Sequence, residues 1–548
     1  MDAKTRIARI LREEGVEFVA SFPMNPLIDA LAREGIRPLK FRTERVAVNV
    51  ADGFSRASFG KKIGVALMQF GPGIENAFPG IAHAFADSVP ILLLPSGVDR
   101  RRKVPPAFDA VSNLREVTKW VDEITFADRC DEMLRRAFTA LKAGRPGPVV
   151  LVMPQDVLTE TVSEAHEYTK TQHIRTGADP VLVEEAVRML LSAECAVVRA
   201  GGGVLYAEAW HELLQLAESL SLPVFTTQNG KSCFPEDHAL SLGTGGRTRP
   251  DGVLHWLRKA DVVFAVGSSC TNEPYTTPLP PGKLLIQQTI DERDINKDYP
   301  VACGIMGDSK IVLGQMLEEV NRQLGKRGLH VRRDPREEIR RVREHWLRKW
   351  VPKLESQEVP LNPYRVIADI QKVFDEPTTI VTHDAGSPRD QMIPFYRSNT
   401  PGSYIGWGKS TTLGQSLGLS MGAKLANPEK TVIAVMGDAA FGMVGMDVES
   451  MVREQIPIIV VVLNNSMLGG YRSYLPAASE LYKYDQLSGD YCGLARALGV
   501  AHAERVTLPE QIVPALQKAR ERTERGTPAF LEFVTKEETE FSNYPLRW

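Results

Sequence analysis

Short apolar runs alternate with helix-length segments along almost the whole chain. In the first third, VEFVASF, IGVALMQF, PILLLPSG and PVVLVMP read as strands separated by amphipathic stretches. The pattern pauses at SEAHEYTKTQHIRTGADP (163–180), which is polar and without periodicity. A second block carries CAVVRAGGG, PVFTTQNG, ADVVFAVGSS and LLIQQTID and ends near GDSKIVLGQMLEEV. A third follows LESQEVPLNP with TTIVTHDAG, TVIAVMGD, IPIIVVVLNN and PAFLEFVT. Consecutive β-branched and apolar residues mark strands buried on both faces. Strands alternating with helices imply parallel sheets. The pattern predicts an α/β chain of three doubly wound parallel-sheet domains over 1–165, 180–325 and 360–540, with a tail at 541–548.

Composition changes this picture little. A chain of 548 residues is too long for one core and fits roughly three or four domains. With 24% charged residues and a net charge of -2, nothing points to a nucleic-acid or membrane partner. The arginine-rich HVRRDPREEIRRVREHWLRKW interleaves Glu337, Glu338 and Glu344, as a solvated linker helix with i,i+4 pairs would. Runs such as IPIIVVVL are strand-length, far short of a membrane span. The opening MDAKTRIARILREEG reads as an amphipathic helix and lacks the apolar core of a signal peptide. Six cysteines without CxxC spacing fit a reducing compartment, and a cytoplasmic location is expected.

Candidate chemistry concentrates in VMGDAAFGMVGMDVESMVREQIPIIVVVLNN (435–465). Strand, helix and parallel strand would place Asp438 and Asn465 at neighbouring carboxyl ends, where open α/β sheets bind ligands. Both offer hard oxygen donors, which suit magnesium completed by phosphate oxygens and water. Ala439 and Ala440 are small enough to let a phosphate approach free backbone N–H groups at the helix start. Each turn alone is commonplace; their joint spacing is the signal.

That spacing resembles the thiamine-diphosphate enzyme superfamily, whose motif begins Gly-Asp-Gly and ends Asn-Asn. Here it reads Gly437-Asp438-Ala439 and Asn464-Asn465, with alanine in place of the third glycine. The resemblance implies magnesium ligands at Asp438, Asn465 and the main-chain carbonyl of Met467, with Gly437, Ala439 and Ala440 beside the cofactor diphosphate. FRTERVAVNVADGFSRASFGKKIGVALMQFGPGIENAF (41–78) resembles the acetolactate-synthase group and puts Glu44 in the place of its catalytic glutamate. A carboxyl buried beside N1′ of the aminopyrimidine has its pKa raised and can hold the proton there. TTLGQSLGLSMGAKLANPEKTVIAVMGD (411–438) resembles the family segment before the metal motif, which implies Leu413 under the thiazolium ring and the Thr411 carbonyl within reach of the 4′-amino group. HDAGSPRDQM (383–392) resembles the diphosphate loop through Gly386 and Ser387, and NNSMLGGYRSYLP puts Leu468 and Tyr471 on the substrate side.

The resemblance implies a lyase or carboligase dependent on thiamine diphosphate and Mg2+, acting through a C2 carbanion on a 2-oxo acid or related carbonyl compound. It also implies a homo-oligomer, a dimer at least and a tetramer by extension, with Glu44 serving a cofactor whose diphosphate another subunit holds. VVRAGGGVLYAEA resembles the middle domain that holds FAD or ADP in some members. The SSCTNEPYTTP segment lacks the Gly-Ala-Arg element of those members, so a tight turn at Gly201, Gly202 and Gly203 is favoured over a bound nucleotide. A second reading is an acyl-CoA enzyme resembling 2-hydroxyacyl-CoA lyase and oxalyl-CoA decarboxylase. GDAAFGMVGMDVES favours it, and DRRRKVPP (99–106) would meet CoA phosphates unless it is simply a charged loop. A third is a nucleotide-binding regulatory protein without catalysis.

Overall fold

The computed structural model describes residues 1–102, 108–163, 167–327 and 333–543. The second half of DRRRKVPP (103–106) and most of the 541–548 tail therefore lie outside the described residues. Three sheets form along the chain, and every strand pairing within them is parallel. Each predicted apolar run lies inside a sheet. The sequence pattern did not show several edge strands, among them Arg37–Lys40, Trp120–Glu123 and His502–Val506. These are short and carry charged, partly exposed positions, as edges do to avoid pairing with other chains.

Two sheets position the site. The first runs Arg37–Lys40, Phe18–Phe22, Gly64–Met68, Ile91–Leu93 and Val149–Pro154. The third runs Tyr404–Ile405, Thr379–His383, Thr431–Gly437, Ile459–Asn464, Ala529–Val534 and His502–Val506. In each, the chain leaves one strand to opposite sides, which opens a crevice at the carboxyl ends. In the first sheet the switch lies between Phe18–Phe22 and Gly64–Met68; in the third, between Thr379–His383 and Thr431–Gly437.

The two domains meet through helices Glu44–Ala57 and Gln415–Ala426, which touch backbone to backbone. A Cβ on Gly53 would lie 2.1 Å from the Leu419 carbonyl oxygen, and one on Gly422 would lie 2.1 Å from that of Val50. Only glycine allows this approach. The arginine-rich helix, Arg336–Leu354, is solvated on one face only. Arg340 pairs with Glu337 and Glu344 in water, while Trp346 and Trp350 are buried against Phe395 of the third domain.

The insert between Thr431–Gly437 and Ile459–Asn464 is not one helix, as its spacing suggests. It breaks into Asp438–Val444, a 3-10 turn at Gly445–Asp447, and Val448–Arg453. The break has a cause across the domain boundary. The buried Asp447 carboxylate accepts from the backbone N–H of Arg42 at 2.7 Å, Thr43 Oγ1 at 3.2 Å and Ser450 Oγ at 2.9 Å.

Candidate active site

Glu44 opens its helix, and the Thr43 hydroxyl accepts from the Val46 N–H to cap it. Its carboxyl is 2% exposed. One polar side chain reaches it, the Asn76 amide, donating at 3.4 Å. Gly73 leaves it room, for a Cβ there would come 3.3 Å from Oε1. Burial raises the Glu44 pKa, and the weak hydrogen bonds only partly oppose that. Arg45, the next residue, donates to the Leu413 carbonyl. The turn bearing Glu44 and the loop bearing Leu413 are thus in direct contact within one chain.

Asp438, Asn465 and Gly386 follow three adjacent strands of the third sheet. The Asp438 carboxyl is 3% exposed. Its Oδ1 accepts from the Ala439 N–H at 3.0 Å, but Oδ2 is buried without any hydrogen-bond partner. Burial raises its pKa to about 6, and the nearby Glu532 carboxylate adds to the rise. A buried carboxylate oxygen left unpaired is costly, so it fits a cation ligand. Asn465 is half-buried and curls the chain, its Oδ1 accepting from the Met467 N–H at 3.0 Å. Ser466 between them takes a left-handed backbone, φ 56°.

The other expected residues gather around this point unequally. Gly386, φ 84°, precedes helix Ser387–Phe395. A Cβ on Gly469 would lie 2.9 Å from Ser387 Oγ, so the loop after Asn465 closes onto that helix start. Gly437 faces Pro388 across a similar gap, 3.8 Å from a Cβ to Cγ. Ala439 is half-buried at the strand end, whereas Ala440 turns into the core. Leu413 packs against Trp407, Ala385 and Leu419. The Thr411 carbonyl accepts no hydrogen bond from another described residue. Leu468 is half-buried, its N–H donating to the Asp485 carbonyl at 2.7 Å. Tyr471 is 48% exposed on a short helix, Tyr471–Tyr474.

Three buried carboxylates that the sequence reading passed over hold these residues in place. Asp384 accepts from the N–H groups of Gly414 and Ser416, both at 2.9 Å, and from Ser416 Oγ at 2.7 Å, fixing the turn that carries Leu413. Asp447 fixes the turn that carries Glu44. Glu532 accepts from Asn464 Nδ2 at 2.7 Å and from the Cys492 N–H at 2.9 Å. Asn464 Oδ1 in turn accepts from Ser466 N–H and Oγ, next to Asn465. Glu532 could have been found: a lone charge in PAFLEFVT, a strand otherwise apolar, must be paired when buried. Asp384 and Asp447 lie in quoted stretches but carry no such contrast.

A partly open cavity of about 390 Å³ lies beside Gly201–Gly203 of the central domain, walled also by Arg56 and Asp87 of the first domain and by Tyr404 and Lys409 of the third. The turn itself is demanded by packing, because a Cβ on Gly201 would come 2.3 Å from the Gly267 carbonyl oxygen. Lys409 borders the cavity and donates to Ser269 Oγ at 3.0 Å; burial lowers its pKa to about 8.

Comparison with known proteins agrees with this geometry. Residues 1–121 match the N-terminal TPP binding domain of thiamine pyrophosphate enzymes, 183–316 the central domain, and 384–533 the C-terminal TPP binding domain. The chain is 30% identical to a probable acetolactate synthase large subunit of Methanocaldococcus jannaschii, over 95% of this chain and 90% of that protein. It is 28% identical to the acetolactate synthase isozyme 3 large subunit of Escherichia coli, over 99% and 96%. It is 29% identical to the glyoxylate carboligase of Escherichia coli O157:H7, over 97% and 93%. Matched along three domains and over nearly its whole length, this chain belongs to the thiamine pyrophosphate enzymes and is acetolactate-synthase-like.

Proposed function

We propose that this enzyme decarboxylates a 2-oxo acid and joins the remaining acyl unit to a second carbonyl compound. The observation that carries the reading is the buried, unpartnered Asp438 Oδ2 at the carboxyl end of its strand, with Glu44 supplying a second buried carboxyl whose pKa is raised by desolvation. The relatives named as acetolactate synthases and as a glyoxylate carboligase support carboligation. When bound, thiamine diphosphate supplies the nucleophilic carbon that adds to the carbonyl and accepts the electrons of the broken bond.

In this reading Asp438, Asn465 and the Met467 carbonyl hold Mg2+, the cation that neutralises the diphosphate. Gly386, Ser387, Gly437, Ala439 and Ala440 border it. The Thr411 carbonyl accepts from the aminopyrimidine, and Leu413 sets the angle between the two rings. Glu44 keeps a proton at N1′, a task its apolar burial suits. Leu468 and Tyr471 face the substrate once the assembly is complete.

The assembly is a homodimer or a homotetramer. In support, Phe78 and Phe85 stay exposed on helix Pro72–Ala86, which also carries Asn76, the partner of Glu44.

The acyl-CoA reading keeps one specific support, the alanine at 439 in place of the third glycine. Retention of Glu44 with Asp438 and Asn465 weighs against a purely regulatory protein. A turnover screen tests the proposal: pyruvate, glyoxylate, 2-hydroxyacyl-CoAs, and formyl-CoA with an aldehyde, each with thiamine diphosphate and Mg2+. Carbon dioxide release and a ligated product from a 2-oxo acid alone are expected. Turnover only with CoA thioesters would move the enzyme to the second reading. Cofactor binding without C2 proton exchange would move it to the third.

A further inference from the structure

The arginine-rich linker segregates its charges. On helix Arg336–Leu354, Arg340 is paired with Glu337 and Glu344, and Arg343 donates to the carbonyls of His238 and Ser241. Arg341 and Arg348 form no close ion pair or hydrogen bond among the described residues, and both are exposed; Arg341 acts on Glu337 only at longer range, helping to lower its pKa. They stand two turns apart on one face, about 10 Å along the axis. Facing them is helix Asp251–Lys259, which contributes Arg258, likewise exposed and without a side-chain partner among the described residues. Between the helices runs an open groove of about 1120 Å³.

Five cationic side chains line it: Arg258, Lys259, Arg341, Arg348 and Lys349. Among the described residues the only carboxylate lining it is Asp251, 3.5 Å from the Lys349 amine. Glu338, beside the groove, is taken up by Lys259 and His255 at 2.7 and 2.8 Å. Val342, half-buried, supplies apolar surface between the charges, with Leu254 buried beneath. Like charges facing each other across a gap repel. The chain meets this cost at three arginines here, while it pairs the arginines on the other face of the same helix. Guanidinium groups are also the side chains best suited to fork onto phosphate oxygens.

We propose that this groove binds an oligophosphate anion, two or three linked phosphates. Arg341 and Arg348 clamp it from one helix and Arg258 from the other, on either side of Val342. Residues Asp438, Asn465 and Glu44 do not line the groove, so it is separate from the cofactor crevice. The volume is at the upper end for a small-molecule site, of order 10³ Å³.

The test is calorimetric titration of the full-length protein, saturated with thiamine diphosphate and Mg2+ so that the cofactor site is filled. The probes are inorganic tripolyphosphate, ATP and AMP, each at low and at physiological ionic strength. Saturable binding of tripolyphosphate and ATP is expected, at least tenfold tighter than AMP and weakened by salt. Similar affinity for tripolyphosphate and ATP would assign the site to the free anion. Tighter ATP binding would assign it to a nucleotide. The double variant Arg341→Gln/Arg348→Gln should weaken tripolyphosphate at least tenfold, while Arg340→Gln, on the paired face, should change it less than twofold. Carboligase turnover of both variants should equal that of the parent, which shows that they fold. Absence of saturable tripolyphosphate binding, equal losses in both variants, or tighter binding of a polyglutamate peptide would overturn the proposal.

Discussion

The first and third domains each bury one carboxyl at the mouth of a parallel sheet, and the two behave alike only at first sight. Glu44 and Asp438 are both nearly inaccessible, and burial raises both pKa values. Their surroundings differ. Glu44 has a single long hydrogen bond from Asn76 and an apolar setting, which favours the neutral acid. Asp438 accepts from the backbone N–H of Ala439 and keeps one buried oxygen unused, at the start of a helix. That setting is ready for a charged carboxylate once a cation arrives. Desolvation alone therefore does not fix the role of a buried acid; the donors and acceptors around it do.

Four experiments would break or sharpen this contrast. The largest effect is expected from Asp438→Ala, which should remove Mg2+-dependent cofactor binding, read as loss of the tryptophan or calorimetric signal on adding thiamine diphosphate. Retained affinity would strip Asp438 of its role. Glu44→Gln should leave cofactor affinity within a few-fold but slow C2 hydrogen–deuterium exchange, followed by NMR, by about 10²- to 10⁴-fold. If exchange is unchanged, the two carboxyls do not differ as argued.

Glu532→Gln comes third. A glutamine cannot accept from both Asn464 Nδ2 and the Cys492 N–H in the present arrangement. The Mg2+ concentration for half-saturation should rise about 10-fold or more, as when outer-shell partners of a metal ligand are removed, while C2 exchange at saturating Mg2+ stays near normal. An equal loss at saturating metal would make Glu532 a general fold element instead.

The smallest effect concerns pH. Asp438 titrates near pH 6 when free of metal, so Mg2+ affinity should fall about tenfold for each pH unit below that. Its folded pKa lies above the unfolded value of about 3.9. The metal-free fold binds the extra proton, so its stability from this group is present at pH 4 and is lost as pH rises through 6. Asp438→Asn should then raise metal-free stability at pH 7, on the order of 1–3 kcal/mol, and leave it unaltered at pH 4. Thermal melts at the two pH values decide it.

Much of this site was legible beforehand because its chemistry is local. Strands buried on both faces declare themselves as unbroken apolar runs, and the residues at their carboxyl ends fall into the crevice by topology alone. The placement of Asp438 and Asn465 at strand ends needed only that reasoning, whereas Gly386 came from resemblance to a diphosphate loop. The edge strands were not legible, because Arg37–Lys40 and His502–Val506 owe their conformation to a neighbour rather than to their own side chains. The broken insert was not legible either, since its cause, Asp447 accepting from Arg42 and Thr43, joins residues some four hundred positions apart.

By itself the sequence determined the layered architecture, the places where the chain turns at the end of each strand, and the residue types offered there. These follow from hydrophobic period and from backbone geometry, which act over a few residues. Only the tertiary structure decided which acids stand behind the front row. Asp384, Asp447 and Glu532 matter through partners on other elements, and their buried charges are tolerable only when folding delivers N–H and amide donors to them. Nor could a linear pattern separate paired arginines from the unpaired ones around the groove, because pairing across helices depends on which faces meet.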